Sequence, residues 1–391
     1  MKTRNGFTLI EVMISVLILA FVVAGISFVL IKQTQASAKQ TLERDLEESG
    51  RLALLEIGRA VRLAGYGIAP IAAFDFDSYG CTSPGAATPN CNPATVGGIT
   101  TRYKRDRDDG PDELVISYRD PMFFRPITAK AGAGPYSITI SPALTQDLPA
   151  GRIVQLLCPG AEPSSYLVLQ NAAAAGTTTL TLRVIATAFP ADGYYPTAAP
   201  VDTCFATASL MLVERVRYYI ADDADGVPSL FKERGRGAAE LLFRGIEDLQ
   251  ITYDIGQPPA GSAFAAGGAS PAANPVGCGG GWTYGVCGAA ATPPEAATPP
   301  VWRDDPYDSA NRYTGHPANI RGVTINIVAR STQLSPDKTT GDTIPAIANR
   351  PARAADGYRR AIFTITEQPE NLLTRAHFLP LVFTDSNVGG G

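Results

Sequence analysis

A chain of 391 residues, 45% hydrophobic and 18% charged, is long enough for two or three domains and too apolar to be disordered over most of its length. The formal net charge of -4, with 33 Lys and Arg against 37 Asp and Glu, excludes a general nucleic-acid binder, which needs a clustered basic excess to release counterions. Only His316 and His377 could supply imidazole, so His-based metal or triad chemistry has little to build on.

With 38 Gly and 31 Pro in the chain, a mean hydropathy of +0.03 requires the apolar residues to be concentrated somewhere. They are concentrated at the N-terminus, where residues 7–31 carry Glu11 as their only charge. As a helix this run would cover about 37 Å, against a hydrocarbon core of about 30 Å. A short basic leader containing Lys2 and Arg4 precedes it, and no small-residue cleavage site follows it, so an ordinary secretory signal does not fit. A carboxylate retained in such a span costs about 2.5 to 3.5 kcal/mol, so Glu11 either finds a partner or snorkels to the interface.

From residue 32 to 64 there is no proline, and Leu42, Leu46, Ala53, Ile57, Ala60, Val61 and Ala64 recur at spacings of three and four. One helix is therefore expected to run on from the span, about 87 Å in all. Glu43, Arg44, Glu47, Glu48, Arg51, Glu56, Arg59 and Arg62 are expected on its outer face, with Glu47 and Arg51 forming an i,i+4 pair. Gly25, Gly50 and Gly58 allow two readings, points of bending or points of close helix packing. Gly65, Gly67 and Pro70 end the helix.

Beyond Gly67 the texture becomes short β-branched and aromatic runs separated by Gly, Pro, Asp and Asn. Strands are predicted at 113–118, 153–157, 166–170, 178–184, 210–220, 229–234, 246–255, 321–330 and 358–367. Leu249, Ile251, Tyr253 and Ile255 alternate with Gln250, Thr252 and Asp254, as Val323, Ile325 and Ile327 do with Thr324 and Asn326. Asp225-Gly226 marks an antiparallel hairpin.

The segment GFTLIEVMISVLIL, beginning at Gly6, resembles the class III signal of type IV prepilins. That resemblance implies cleavage after Gly6 by prepilin peptidase, N-methylation of the new terminal Phe7, and an assembly role for Glu11, which would neutralise the terminal amine of a neighbouring subunit. Further segments resemble the PilW-type minor pilins in the same order: EIGRAVRLAGYG from Glu56, PDELVISYRD from Pro111, LVERVRYYIADD from Leu212, FRGIEDLQITYDI from Phe243, IRGVTINIVARS from Ile320 and YRRAIFTIT from Tyr358.

The implied fold is α+β, a long N-terminal helix packed on an antiparallel β-rich head with loop insertions. Residues 1–6 would be the leader, 7–31 the membrane half of the helix, 32–65 its amphipathic half, and 66–391 the periplasmic head. The implied function is a minor pilin that works with other minor pilins and the major pilin to initiate type IV pilus assembly. It would sit first in the inner membrane and then at the pilus tip, where it supports a tip adhesin. A minor pseudopilin of type II secretion is the alternative, although its usual head is smaller. A membrane-anchored periplasmic enzyme is a third reading, but no G-x-S-x-G, P-loop or paired Cys and His is found, so no catalytic residue, metal or cofactor is expected.

Two regions depart from a compact pilin. Residues near 71–110, with Cys81 and Cys91, and near 256–300, with Cys278 and Cys287, are rich in Ala, Gly and Pro and read as flexible inserts. An even number of cysteines beyond the span suits disulfides in an oxidising periplasm; among fifteen connectivities, Cys81–Cys91 and Cys278–Cys287 are expected, leaving Cys158 with Cys204. Trp282 and Tyr284, inside the last cysteine loop, serve either as interface anchors or as packing against the sheet. Two acidic clusters, Asp106, Asp108, Asp109 and Asp112 around Gly110, and Asp222, Asp223 and Asp225 before Gly226, depart from the calcium-loop pattern, and the second reads better as a turn.

Overall fold

The computed structural model describes residues 8–74, 77–79, 102–105, 110–158, 165–184, 205, 208–235, 237–255, 283–284, 320–335, 342–348 and 350–373. Helix α1 (Leu9–Leu63) is continuous over 55 residues, about 82 Å. The backbone N–H groups of Glu11 and Val12 open it by donating to the carbonyl of Thr8 at 3.1 and 3.2 Å. Inside its apolar half the hydroxyl of Ser15, and just beyond it that of Thr34, donate to the carbonyls of Glu11 and Leu30, so neither is left unpaired.

The helix divides by burial. Residues 8–41 are exposed all round, whereas Leu46, Gly50, Ala53, Leu54, Ile57, Gly58, Ala60 and Val61 form a buried stripe. Leu54 joins the expected stripe, and Leu42 is only half-buried. Of the charges expected on the outer face, Glu56 does not lie there: it is half-buried against the head. The Glu47–Arg51 pair forms at 3.6 Å, with both side chains largely exposed. At Gly50 and Gly58 the close-packing reading holds, because the helix passes straight through both while β-sheet side chains press on them. The helix stops where Gly65 and Gly67 take φ of +77° and +65°, a region that disfavours side chains. The side-chain amide of Asn371 caps this end, donating to the carbonyls of Arg62 and Ala64 at 3.1 and 3.4 Å.

The head contains β1 (Asp77–Tyr79), β2 (Arg102–Lys104), β3 (Leu114–Ala131), β4 (Tyr136–Ile140), β5 (Ile153–Leu157), β6 (Ser165–Leu169) and β7 (Thr179–Val184). It continues with β8 (Ser209–Asp222), β9 (Pro228–Arg234), β10 (Glu240–Arg244), β11 (Ile246–Ile255), β12 (Thr283–Tyr284), β13 (Ile320–Leu334) and β14 (Tyr358–Glu367). The bounds of β5, β11 and β14 coincide with the predicted ones. Strands β1, β2, β4, β10 and β12 were not anticipated, and β3 and β13 run well past their predicted ends. Every pairing among the described strands is antiparallel.

Among the described residues three sheets result, and the largest has the order β10-β9-β8-β3-β4-β7-β6-β5. Its far end closes on itself, because β5 also pairs with the first half of β8, from Ile153 opposite Val213 to Leu157 opposite Ser209. The ring β3-β4-β7-β6-β5-β8 is a six-stranded barrel filled by Ile127, Ile138, Leu156, Leu167, Leu182 and Leu210 among others. Closure explains why β8 is buried without clean alternation. Leu210 and Leu212 point into the barrel, while Val213 packs outside it with Ile68 and Ala72.

The remaining halves of β3 and β8 carry Leu114, Ile116, Val216 and Tyr218 into a second core beneath α1. Sheet β12-β11-β13-β14 packs on the same helix through Leu249, Ile251, Val323, Ile325 and Ile327. Residues 71–110 do not lie wholly outside this core. Phe74 is fully buried, bridges to Ile116 and stacks edge-on against Tyr253 at 5.6 Å.

Candidate assembly surface

An exposed apolar half-helix is the first element of the site. An 18-residue window within α1 has a mean hydropathy of 3.0 and none of it is buried, and large side chains such as Leu9 and Phe21 stand more than 70% exposed. Water cannot stabilise such a surface, so it belongs in a membrane or against other apolar helices. Glu11 sits in the first turn, where a carboxylate also faces the positive end of the helix dipole. Gly6 and Phe7 lie outside the described residues.

The second element is the joint that makes helix and head one body. On one flank, Lys232 of β9 donates to the Glu56 carboxylate, and the Tyr218 hydroxyl donates to the same oxygen at 3.2 Å. Burial alone would raise the Glu56 carboxyl, but the hydrogen bond and charge of Lys232 outweigh it and hold that carboxyl below its ordinary range. Burial together with the Glu56 charge pushes the Tyr218 phenol up. On the other flank, Arg62 grips Glu367 of β14 with two hydrogen bonds, Nε to Oε2 at 2.8 Å and Nη2 to Oε1 at 2.7 Å.

Deeper in the head, Arg217 donates to both Glu113 oxygens, at 2.6 and 2.9 Å, and to Glu233 at 3.2 Å, while Arg105 donates to Glu113 at 2.7 Å. The Arg217 guanidinium also lies over the Tyr219 ring at 4.2 Å. Arg217, Glu113, Glu233 and Tyr219 did not stand out in the sequence. The available signal was a charge at an alternating position of a strand, Arg217 between Val216 and Tyr218, which normally marks a solvated face.

Asp112 of the first acidic cluster and Asp223 of the second are both engaged within the head. Asp112 is buried, donates its N–H to the Leu249 carbonyl and accepts from the Ile251 N–H, both at 2.7 Å, which ties it to β11. Asp106, Asp108 and Asp109 lie outside the described residues. Asp223 accepts from the backbone N–H of Asp225 and Val227 at 2.9 and 3.0 Å, and Arg244 contacts it at 2.6 Å, which shapes the β8–β9 hairpin. The Val227 hydrogen bond is the main cause of its lowered carboxyl pKa. Of the six cysteines only Cys158, just after β5, is described, and it is disulfide-bonded. Cys81, Cys91, Cys204, Cys278 and Cys287 lie outside the described residues, as does Trp282; Tyr284 lies in β12, opposite Tyr253.

A long helix, bare along its first half and bound by one stripe to an antiparallel β head along its second, defines a pilin-like protein. The Prokaryotic N-terminal methylation motif matches residues 1–27, and the Type IV Pilus-assembly protein W family matches residues 217–371, from within β8 into the short helix Glu370–Leu373 that follows β14. The prepilin-type leader is thus matched at the N-terminus, and the resemblance to PilW-type minor pilins is shown over the strands that pack on α1. A type IV-like pilin from Thermus thermophilus is 11% identical over 57% of this chain and 85% of its own, with a TM-score of 0.18, too loose a superposition to carry any argument. No curated protein matches the chain.

Proposed function

We propose that this chain is a minor pilin that helps initiate type IV pilus assembly and forms part of the pilus tip complex. Prepilin peptidase cleaves after Gly6, Phe7 becomes the methylated N-terminus, and Glu11 of the incoming subunit neutralises the Phe7 amine of a neighbour. The carrying observation is the unbroken passage of α1 from a fully exposed apolar half into a half clamped to the head by Glu56–Lys232 and Arg62–Glu367. Such a rigid rod can be extracted from a bilayer and packed among like helices without the head unfolding.

Before assembly the protein sits in the inner membrane with its head in the periplasm, where Cys81–Cys91, Cys278–Cys287 and Cys158–Cys204 form. At the tip it contacts other minor pilins, the major pilin and an adhesin, with Trp282 and Tyr284 as anchors. On this reading it is a structural subunit and not an enzyme. The match to the pilus-assembly family supports the pilus over type II secretion. The test is mass spectrometry of sheared pili with the mature N-terminus sequenced in the same sample. Methylated Phe7 in the pilus fraction supports the reading; an unprocessed terminus, or recovery only with a secretion apparatus, overturns it.

A further inference from the structure

Strand β14 forms one edge of its sheet, because among the described residues β13 is its only strand partner. The Arg330 N–H on β13 donates to the Gly245 carbonyl on the far side, so Ala329, Ile327 and Ile325 turn their main chain toward β14 and bond Ala361, Phe363 and Ile365. Arg360, Ile362, Thr364 and Thr366 therefore face outward. The structure finishes this edge at both ends. At one, Asp342 takes the Arg360 N–H on its carboxylate at 2.9 Å and donates its own N–H to the Tyr358 carbonyl at 3.0 Å. At the other, Arg62 holds Glu367. Between them, no described residue bonds the outward main-chain groups of Ile362, Thr364 and Thr366.

This window of about five residues, or about 17 Å, carries none of the devices that blunt an exposed edge. It holds no Lys, no Pro and no bulge, and Ile362 is 41% exposed. It also borders the uncovered face of the helix. Arg62 reaches β14, and Leu55 and Arg51, seven and eleven residues before it, fall on the same helical stripe, with exposed Leu52 and Leu63 beside them.

We infer that the open edge of β14 accepts an extended segment from the head of a neighbouring pilin-like subunit, which adds to the sheet as a further antiparallel or parallel strand. The inference rests on the pilin reading: exposed Leu52, Leu55 and Leu63 continue the bare apolar surface of α1 alongside the β14 edge, so a subunit whose helix packs along that surface has its head beside the edge. The fitting segment alternates in character. Residues flanking Phe363 and Ile365 lie on the helix side of the sheet and are apolar, and those flanking Ile362, Thr364 and Thr366 are polar or β-branched.

The test places a photo-crosslinking residue at Ile362 in the full-length protein in its native membranes. The expected product joins this position to an extended segment of a different chain that itself carries a methylated prepilin-type N-terminus. Thr364→Pro removes an outward N–H and leaves the β13 ladder intact, so it should cut the crosslink at least tenfold while protein level and head protease resistance are kept. If proline at 364 lowers the protein level, Thr364→Lys serves, since it blocks the edge by charge. A crosslink to residues 374–391 of the same chain, to a second copy, or to nothing overturns the inference, as does an undiminished yield in a folded blocking variant. The N-terminus of this chain, sequenced from the same membranes, reports separately on the pilin reading.

Discussion

Gly50 of α1 lies beneath the ring of Phe363 on β14, so close that a Cβ at position 50 would overlap the ring carbons. Eight residues on, a Cβ at Gly58 would sit 3.1 Å from the Glu367 carboxylate. Eight helical residues rise about 12 Å and four strand residues span about 13 Å, so helix and strand run side by side in register. The two glycines are what let β14 approach the helix.

Gly50→Ala reverses the usual helical rule. In an open helix the change would stabilise by about 1 kcal/mol, whereas here the ring must shift and overpacking of about 1 to 3 kcal/mol is expected. Thermal unfolding of the full chain in detergent should show a lowered midpoint. Pairing the change with Phe363→Ala should recover part of the helical gain; a single variant as stable as the parent would refute the contact.

Breaking the buried ion group should be severe. Glu113→Gln leaves Arg217 and Arg105 without their shared carboxylate in a site where all three side chains are at most 5% exposed. A loss of about 3 to 5 kcal/mol is expected by denaturant titration, and a loss under 1 kcal/mol would contradict the assignment.

Acid should loosen the helix from the head. The Glu56 carboxyl is held below its unfolded value of about 4.3, so its contribution is fully present above that pH and disappears as the pH falls through the lowered folded value. Proteolysis of the helix–head joint should rise over that interval in the parent. Glu56→Gln should show less of this rise, and an identical pH profile would exclude Glu56 as the source.

Glu11→Ala should separate processing from assembly. The carboxylate sits in the first turn of an exposed helix and makes no side-chain contact with the head, so folding and cleavage should be unaffected while incorporation into pili drops. Normal levels of the variant in sheared pili would remove Glu11 from the mechanism.

Local signals carried the sequence reading a long way. Helix α1 and its buried stripe were legible because three- and four-residue spacing is a property of the chain itself, and β5, β11 and β14 end where turn residues interrupt their alternation. Strand β10 was missed because only Gly245, at φ +74°, separates it from β11, so no turn sequence marks residues 240–244 as a strand of their own. Strand β4 is five residues long and falls between turn-rich stretches. Glu56 was assigned to solvent because a charge next to an apolar stripe usually faces water, and its partner Lys232 is 176 residues away.

By itself the sequence determined the leader, the long two-part helix, the absence of charge from its first half except Glu11, and most strand positions, since each depends on neighbouring residues and their hydrogen-bonding or burial pattern. Only the tertiary structure decided that β5 returns to β8 to close a barrel, that Arg217, Glu113 and Arg105 share one buried site, that Gly50 and Gly58 serve packing, and which edge of the sheet stays open. These are contacts between residues far apart in the chain. Side chains alternate along a strand in the same way whichever strand lies beside it, so periodicity carries no record of the partner.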